Sequence, residues 1–532
     1  MRLRSPKQHA LFGQGHSVIN VVTLTAGCGM LLLGYDQGVM AGLIGGPGTP
    51  FTLTFNDPSA AMLGLMVAIY EIGCFLGAVF VFLAGEASGR RLCMIGGTSV
   101  MVIGATVQTA SMNMTQLIVG RIVTGIGNGI NFSTIPVWAS EMSGFEERGK
   151  VAAFNGWLIV WGVVIAYWVD YGCANYQTDV QFRLPIALQM VFGIIMALFV
   201  LVLPESPRWL VSEGRNEEAK AVLHWITPKP SGSISNYEDT INESYDRIVQ
   251  TREIEMASDG DFSYTELFGG GKMQNWRRVT ICFGVMAFQQ LSGINVLTYY
   301  ISYVLEHSVS LSHHSSLLIG GFNGMEYLLA ALIPIWTIEK FGRRNLLLIS
   351  ATGQMISMMI LSGAIWYVTE RPGTAGSFTM GIVAVVCFFL FNTFYAQGFL
   401  AIPFFYPAEI SNLRTRSRAV SISVMSNWLF TFLVVMITPV ATTNIGWRTY
   451  VIFAVLNATF IPIIYFFFPE TAGLSLEALD SLFDYGGVTR GVLSKQHRHR
   501  MLELSSFALD TSEGLGDGEA KQDSSNHVEY TE

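Results

Sequence analysis

Asp36, Glu71, Arg121, Gln289, Gln290, Asn295 and Glu326 each interrupt a long run of apolar residues. An ionised carboxylate in such a setting is expensive, so Asp36 needs a partner or a task. Arg121, set in a second apolar run, is the obvious partner. A carboxyl that meets a guanidinium in one conformation and leaves it in another can take up a proton on one side of a membrane and release it on the other. The bland alternative is a permanent ion pair tying two helices. Amides suit different chemistry, because each offers two N–H donors and an acceptor oxygen to a neutral polyol. Gln289 and Asn295 are six residues apart, about 600° of helical rotation, so an unbroken helix cannot present both on one face. Ser292-Gly293 between them can open the helix, as at membrane binding sites. Tyr299 and Tyr300 follow and add aromatic surface. An isolated intramembrane amide more often joins helices; the close grouping here favours solute contact. Glu71 and Glu326 stay open between proton site, solute ligand and helix-to-helix bond. Asp170 reads as solvated.

The elements that must hold these residues are membrane helices. Of 532 residues, 51% are apolar and only 13% charged, too few charges to cover a soluble globule of this size. That excludes a nucleic-acid binder, a secreted disulfide scaffold and an ordinary cytosolic enzyme. Twelve apolar stretches reach spanning length, at 17–43, 60–84, 92–110, 115–138, 151–172, 184–203, 278–304, 315–338, 346–367, 379–403, 419–442 and 447–468. The chain thus divides into a cytosolic segment at 1–16, a six-helix bundle at 17–203, a polar helical linker domain at 204–277, a second bundle at 278–468 and a largely disordered tail at 469–532. Short loops on one side carry ten Lys and Arg, those on the other three, which puts both termini and the linker in the cytosol. The first stretch is too long for a signal-peptide core and reads as retained.

The halves repeat. Gly89-Arg-Arg91 recurs as Gly342-Arg-Arg344, Glu141 with Arg148 as Glu409 with Arg416, and Pro204-Glu-Ser206 as Pro469-Glu-Thr471. Two related bundles imply a solute site between them near mid-membrane, reached alternately from each side. At the cytosolic face, Glu86, Arg90, Arg91, Glu141 and Arg148, with Glu339, Arg343, Arg344, Glu409 and Arg416, can form ion-pair clusters between the halves, a gate that closes and opens. Glu205 and Glu470 add carboxylates there. Gly125, Gly127 and Gly129 suit close helix packing. The six Cys show no metal spacing and read as small apolar residues. The nine His do not pair at metal spacing, and His313-His314 read as an exposed outer loop. No metal, cofactor or catalytic constellation is expected.

Longer motifs accompany these signals: Gly34-Tyr-Asp-Gln-Gly-Val39, Gly120-Arg-Ile-Val-Thr-Gly-Ile-Gly127, Pro204-Glu-Ser-Pro-Arg-Trp-Leu210, Gln289-Gln-Leu-Ser-Gly-Ile-Asn295 and Pro469-Glu-Thr-Ala-Gly473. Together they resemble the sugar porter family of the major facilitator superfamily, fungal hexose and disaccharide transporters in particular, over residues 17–485. The resemblance implies an all-α major facilitator fold of twelve transmembrane helices in two halves. It also implies proton-coupled sugar uptake at the plasma membrane by a monomer, with sugar, protons and the bilayer as partners. Asp36 and Arg121 become the proton-coupling pair. Gln289, Gln290, Asn295, Asn323, Asn427, Tyr299 and Phe404 become sugar contacts. Departures fall on the pocket: a usual Gln is Gly156, and a usual Trp is Phe404. The PETKG-type motif carries Ala472, and Glu86-Ala87 replaces an Asp-basic pair. A facilitative uniporter and a transporter-like nutrient sensor are the alternatives; the short tail counts against the sensor.

Overall fold

In the computed structural model, residues 14–44, 48–143, 148–228, 234–259, 264–269, 274–309, 311–412, 415–472 and 483 are described. Among them there is no strand. The first half comprises α1 (His16–Leu43), the short α2 (Pro50–Thr54), α3 (Ala60–Ser88), α4 (Arg90–Thr109), α5 (Met114–Met142), α6 (Arg148–Cys173) and α7 (Val180–Val202). Then come α8 (Pro207–Ser212), α9 (Asn216–Ile226), α10 (Ile234–Asp259) and a 3₁₀ turn at Tyr264–Phe268. The second half comprises α11 (Asn275–Leu291), α12 (Ile294–Thr298), α13 (Ile301–Val309), α14 (His313–Ala330), α15 (Ile333–Phe341), α16 (Arg343–Glu370), α17 (Ala375–Gln397), α18 (Ile402–Ile410), α19 (Arg416–Ile445) and α20 (Arg448–Phe467). Among the described residues, ten helical segments are long and apolar enough to cross a membrane, or eleven if the pair α14 and α15 is one span bent by 42°. Pro334 at the start of α15 removes a backbone donor at that bend. Helix α5 has spanning length at 29 residues but carries Arg121, Asn128 and Asn131.

Glycine sets how closely the helices approach. A methyl on Gly125 would strike the Tyr70 carbonyl, and one on Gly129 the Cys74 carbonyl, so α5 lies backbone to backbone on α3. Gly127 does the same toward α4 at Gly97. Gly34 and Gly162 bring α1 equally close to α6. That approach buries Asp170, which was expected to be solvated: one oxygen accepts from the Gly42 N–H at 3.2 Å, inside the α1–α6 seam. The six Cys form no disulfide and are buried.

Caps fix several helix starts. Ser59, Asn113, Ser312 and Thr374 each accept from the backbone N–H three residues on. The segment between the halves packs through Val222, Leu223 and Trp225 of α9, and the Trp225 carbonyl accepts from Gly15 N at 2.9 Å, just ahead of α1. Of the tail expected to be disordered, residues 473–482 and 484–532 lie outside the described residues; Phe483 packs over the Arg278 guanidinium at 4.1 Å.

Candidate solute and proton site

The broken helix comes first. Helix α11 ends at Leu291 and α12 begins at Ile294; Gly293 takes φ 101°, a conformation suited to glycine. The break frees the Ser292 carbonyl, and Asn457 Nδ2 donates to it at 2.9 Å. Across this break Asn295 Nδ2 donates to Gln290 Oε1 at 2.7 Å, which one continuous helix could not allow. Gln290 Nε2 donates to Asn427 Oδ1 of α19 at 2.6 Å, and Gln289 Nε2 to the Phe399 carbonyl at 2.7 Å. Four amides from three helices, α11, α12 and α19, thus form one buried chain.

That chain faces a cavity between the halves. Leu33, Gln37, Phe132, Ile159, Val160 and Val163 line it from the first half. Gln289, Gln290, Ile294, Asn295, Thr298, Tyr327, Tyr395, Leu400, Phe404, Asn427, Trp428 and Thr431 line it from the second. Five residues expected at the solute are therefore together: Gln289, Gln290, Asn295, Asn427 and Phe404. Two are not. Asn323 accepts from Asn392 Nδ2 at 2.8 Å, a bond between α14 and α17, and Tyr299 points its hydroxyl at Glu71 at 2.5 Å; neither lines the cavity. Sequence reasoning missed Gln37 and Trp428. Gln37 sits inside the Gly34–Val39 motif beside Asp36, a signal that was there to use. Trp428 puts an indole beside Phe404, each near the Phe132 ring at 5.2 and 5.9 Å, although position 404 itself lacks the usual Trp.

Asp36 is fully buried. Asn128 Nδ2 donates to its Oδ2 and also contacts the Tyr70 hydroxyl at 3.0 Å; Asp36 Oδ1 has no partner among the described residues. The expected direct pair with Arg121 is not formed. Arg121 instead donates to the carbonyls of Met66 and Val67 at 3.3 and 2.9 Å and lies 4.7 Å above the Tyr70 ring. The reason is axial register: Asn128 lies seven residues beyond Arg121, about 10 Å along α5, and it is Asn128 that stands level with the Asp36 carboxyl. Glu326 accepts from the Thr393 hydroxyl at 2.6 Å, a helix-to-helix bond.

At the end of the bundle bearing both Gly-Arg-Arg motifs, the halves match. Glu205 accepts from the backbone N–H groups of Arg90 and Arg91, each at 3.1 Å; Glu470 accepts from those of Arg343 and Arg344 at 2.8 and 3.1 Å. Each carboxylate caps the helix starting at its Gly-Arg-Arg, where bare N–H groups and the helix dipole favour an anion. Burial pushes the Glu205 carboxyl above its ordinary value, against the N–H donors and Arg91. Arg90 pairs with Glu141 at 3.2 Å, and Arg343 with Glu339 at 3.0 Å and Glu409 at 3.2 Å. These pairs were expected between the halves; among the described residues they join positions within one half, where each Arg has an acid of its own half within reach. Arg416 donates to the Ser411 carbonyl at 3.4 Å. The side chains of Glu86 and Arg148 lie outside the described residues.

At the opposite end, contacts do cross between halves. Tyr167 donates to the Thr298 carbonyl at 2.8 Å and Trp168 meets Phe322 ring to ring at 5.6 Å; deeper along α6 and α14, nearer the Gly-Arg-Arg end, Trp157 Nε1 donates to the Leu328 carbonyl at 3.3 Å. His313, expected in an exposed loop, opens α14 and bonds Glu306 at 2.6 Å.

Comparison with known proteins places the chain as a whole. The "Sugar (and other) transporter" family model matches residues 21–483. The sugar transporter STL1 of Saccharomyces cerevisiae is 37% identical over 476 residues, covering 87% of this chain and 80% of that one. The MFS-type transporter oryC of Aspergillus oryzae is 35% identical, covering 87% and 85%. Among solved structures, the proton:xylose symporter XylE bound to 6-bromo-6-deoxy-D-glucose matches with TM-score 0.71 at 25% identity, covering 88% of this chain and 99% of that one. The inward-open form of XylE from E. coli matches with TM-score 0.70 at 26% identity, covering 87% and 99%.

Proposed function

Because this chain belongs to the sugar transporter family of the major facilitator superfamily, whose members carry solutes rather than catalyse reactions, we propose that it couples sugar uptake to proton entry across the plasma membrane by alternating access. The observation that carries this reading lies on α1: Gln37 lines the cavity, while its neighbour Asp36 is buried against Asn128. One helix thereby joins a polyol-binding surface to a titratable carboxyl. The amide chain supplies donors and acceptors for sugar hydroxyls, and Trp428, Phe404 and Tyr395 supply surface for an apolar ring face. Relatives named for sugar or glucose transport, and a structural neighbour named a proton:xylose symporter, support the same reading.

In the proposed cycle, Asp36 takes a proton while the cavity is open to the outside. Taking up the proton removes a charge that hydrocarbon disfavours and is the step that precedes rocking of the halves. The end carrying the Gly-Arg-Arg motifs then opens, and sugar and proton leave to the cytosol, where both termini and the segment between the halves reside. The cross-half contacts of Tyr167 and Trp168 close the outer face. Twelve helices span the bilayer in this reading, the chain works as a monomer, and Arg121 modulates Asp36 by approaching it in another state of the cycle.

The test is uptake of labelled hexoses, pentoses and disaccharides by transport-deficient cells expressing the chain. Uptake is expected to fall as external pH rises and to collapse with a protonophore. Uptake of the preferred sugar that is indifferent to both would establish facilitated diffusion instead.

A further inference from the structure

Glu71 is fully buried on α3, and its Oε2 has no partner among the described residues. Its Oε1 accepts from the hydroxyl of Tyr299, which belongs to the other half and sits just beyond the α11–α12 break. This bond therefore joins the halves through a carboxyl. The same turn of α3 is held from two more directions. Arg121 donates to the Met66 and Val67 carbonyls, and Asn128 links the Tyr70 hydroxyl to Asp36.

Few charges face this cluster. Asp36 comes from α1, Arg121 from α5, Tyr70 and Cys74 from α3 itself, and Tyr299 and Tyr300 from the end of α12; Asp36, Glu71 and Arg121 lie within electrostatic range of one another. Helix α19, which packs on α3, carries only Arg416 and Arg418, both at its far end. The phenols and the thiol are neutral in their ordinary state. Two ionised carboxylates against one guanidinium would leave a net negative charge in a dry interior. One proton on the pair makes the cluster neutral.

We propose that Glu71 is a second proton-carrying carboxyl, which shares the coupling proton with Asp36 and reports its position to the other half through Tyr299. With the proton on Asp36, Glu71 is ionised and its bond from Tyr299 is charge-assisted, which holds the halves together. With the proton on Glu71, that bond weakens and the halves part. The proton enters from water and returns to water; no other group changes. This inference rests on the proton-coupled reading above.

The test uses the purified full chain in liposomes, with labelled D-glucose and D-xylose as probes and an imposed proton gradient. Glu71→Gln keeps an acceptor for Tyr299 but cannot titrate, and is expected to lose accumulation above equilibrium while solute exchange at equal concentrations continues. Tyr299→Phe is expected to lower the accumulated level while exchange persists. If wild type accumulates, Asp36→Asn does not and Glu71→Gln accumulates normally, Glu71 is only a structural bond and this inference falls alone. If wild type accumulates neither probe, the coupled reading itself falls for those sugars. A solute-free measurement then decides on Glu71: infrared difference spectra between acid and alkaline buffer are expected to contain a protonated-carboxyl band that Glu71→Gln removes and Asp36→Asn shifts. A spectrum unchanged in Glu71→Gln overturns the proposal.

Discussion

The two ends of the internal repeat have kept different things. At the Gly-Arg-Arg corners the halves are nearly superposable in chemistry. Glu205 and Glu470 cap equivalent helices, Arg90 and Arg343 hold Glu141 and Glu409, and Arg91 and Arg344 both donate to carbonyls late in the sixth long helix of their half, at Leu201 and Tyr465. At mid-depth the halves share almost nothing. The first buries Asp36, Glu71 and Arg121; the second buries Gln289, Gln290, Asn295 and Asn427. Duplication has been preserved where both halves need the same local job, a carboxylate on bare helix N–H groups, and lost where the jobs differ. Under the proposed function, titration falls to the first half and most of the hydrogen bonding of a neutral solute to the second, with Gln37 of the first half joining it.

The sharpest way to break that division is to cripple each half in turn. Asp36→Asn is expected to abolish accumulation above equilibrium while leaving exchange intact, measured in liposomes with and without a proton gradient. Gln290→Ala is expected to do the reverse. It removes bonds to Asn295 and Asn427, each worth roughly 0.5–1.5 kcal/mol, so the half-saturation concentration should rise about tenfold while accumulation persists at saturating sugar. If Gln290→Ala uncouples or Asp36→Asn changes only affinity, the labour is not divided this way. A smaller effect is expected from Gly293→Ala. Its φ of 101° strains any other residue by about 1–3 kcal/mol, and the new methyl would stand 3.0 Å from the Phe453 ring. Thermal stability in detergent should fall and affinity weaken modestly, because Asn295 is displaced from Gln290. Unchanged affinity would show that the break does not set the amide geometry.

Much of this was legible in the sequence, and what was missed has a common cause. The motif pairs fixed the two corners, and the six-residue spacing of Gln289 and Asn295 with Ser292-Gly293 between them required the break that α11 and α12 display. Composition and periodicity state which residues are buried, but not at what depth helices from different positions meet. Asn128 was invisible for that reason: Arg121 on the same helix carries the charge, yet its level matches the Met66 and Val67 carbonyls. Tyr299 was expected at the solute because it follows the amides in the same span, and Asn323 because the family resemblance assigns it there; each is spent on another helix. Asp170 was expected in water because it ends a span; glycine spacing in α1 draws it into a seam instead. Arg90 and Arg343 were expected to reach across the halves, and found acids nearer in their own.

The finest test concerns the corners. Gln in place of Glu205 or Glu470 keeps one acceptor oxygen and sets an NH₂ group against backbone N–H donors that can no longer be satisfied. It also removes an anion from a helix start, worth roughly 0.3–1 kcal/mol. Each variant should therefore lose about 1 kcal/mol, and the two thermal midpoints should fall alike, with transport little altered in either. The equality is the informative part. Glu205 has its own Ser206 N–H at 3.0 Å as a further donor, and Glu470 has those of Thr471 and Ala472 at 3.1 and 3.2 Å, so neither corner has a large local advantage. A marked drop in only one would mean that one corner carries load the other does not, and the repeat would be preserved in form there but not in energy.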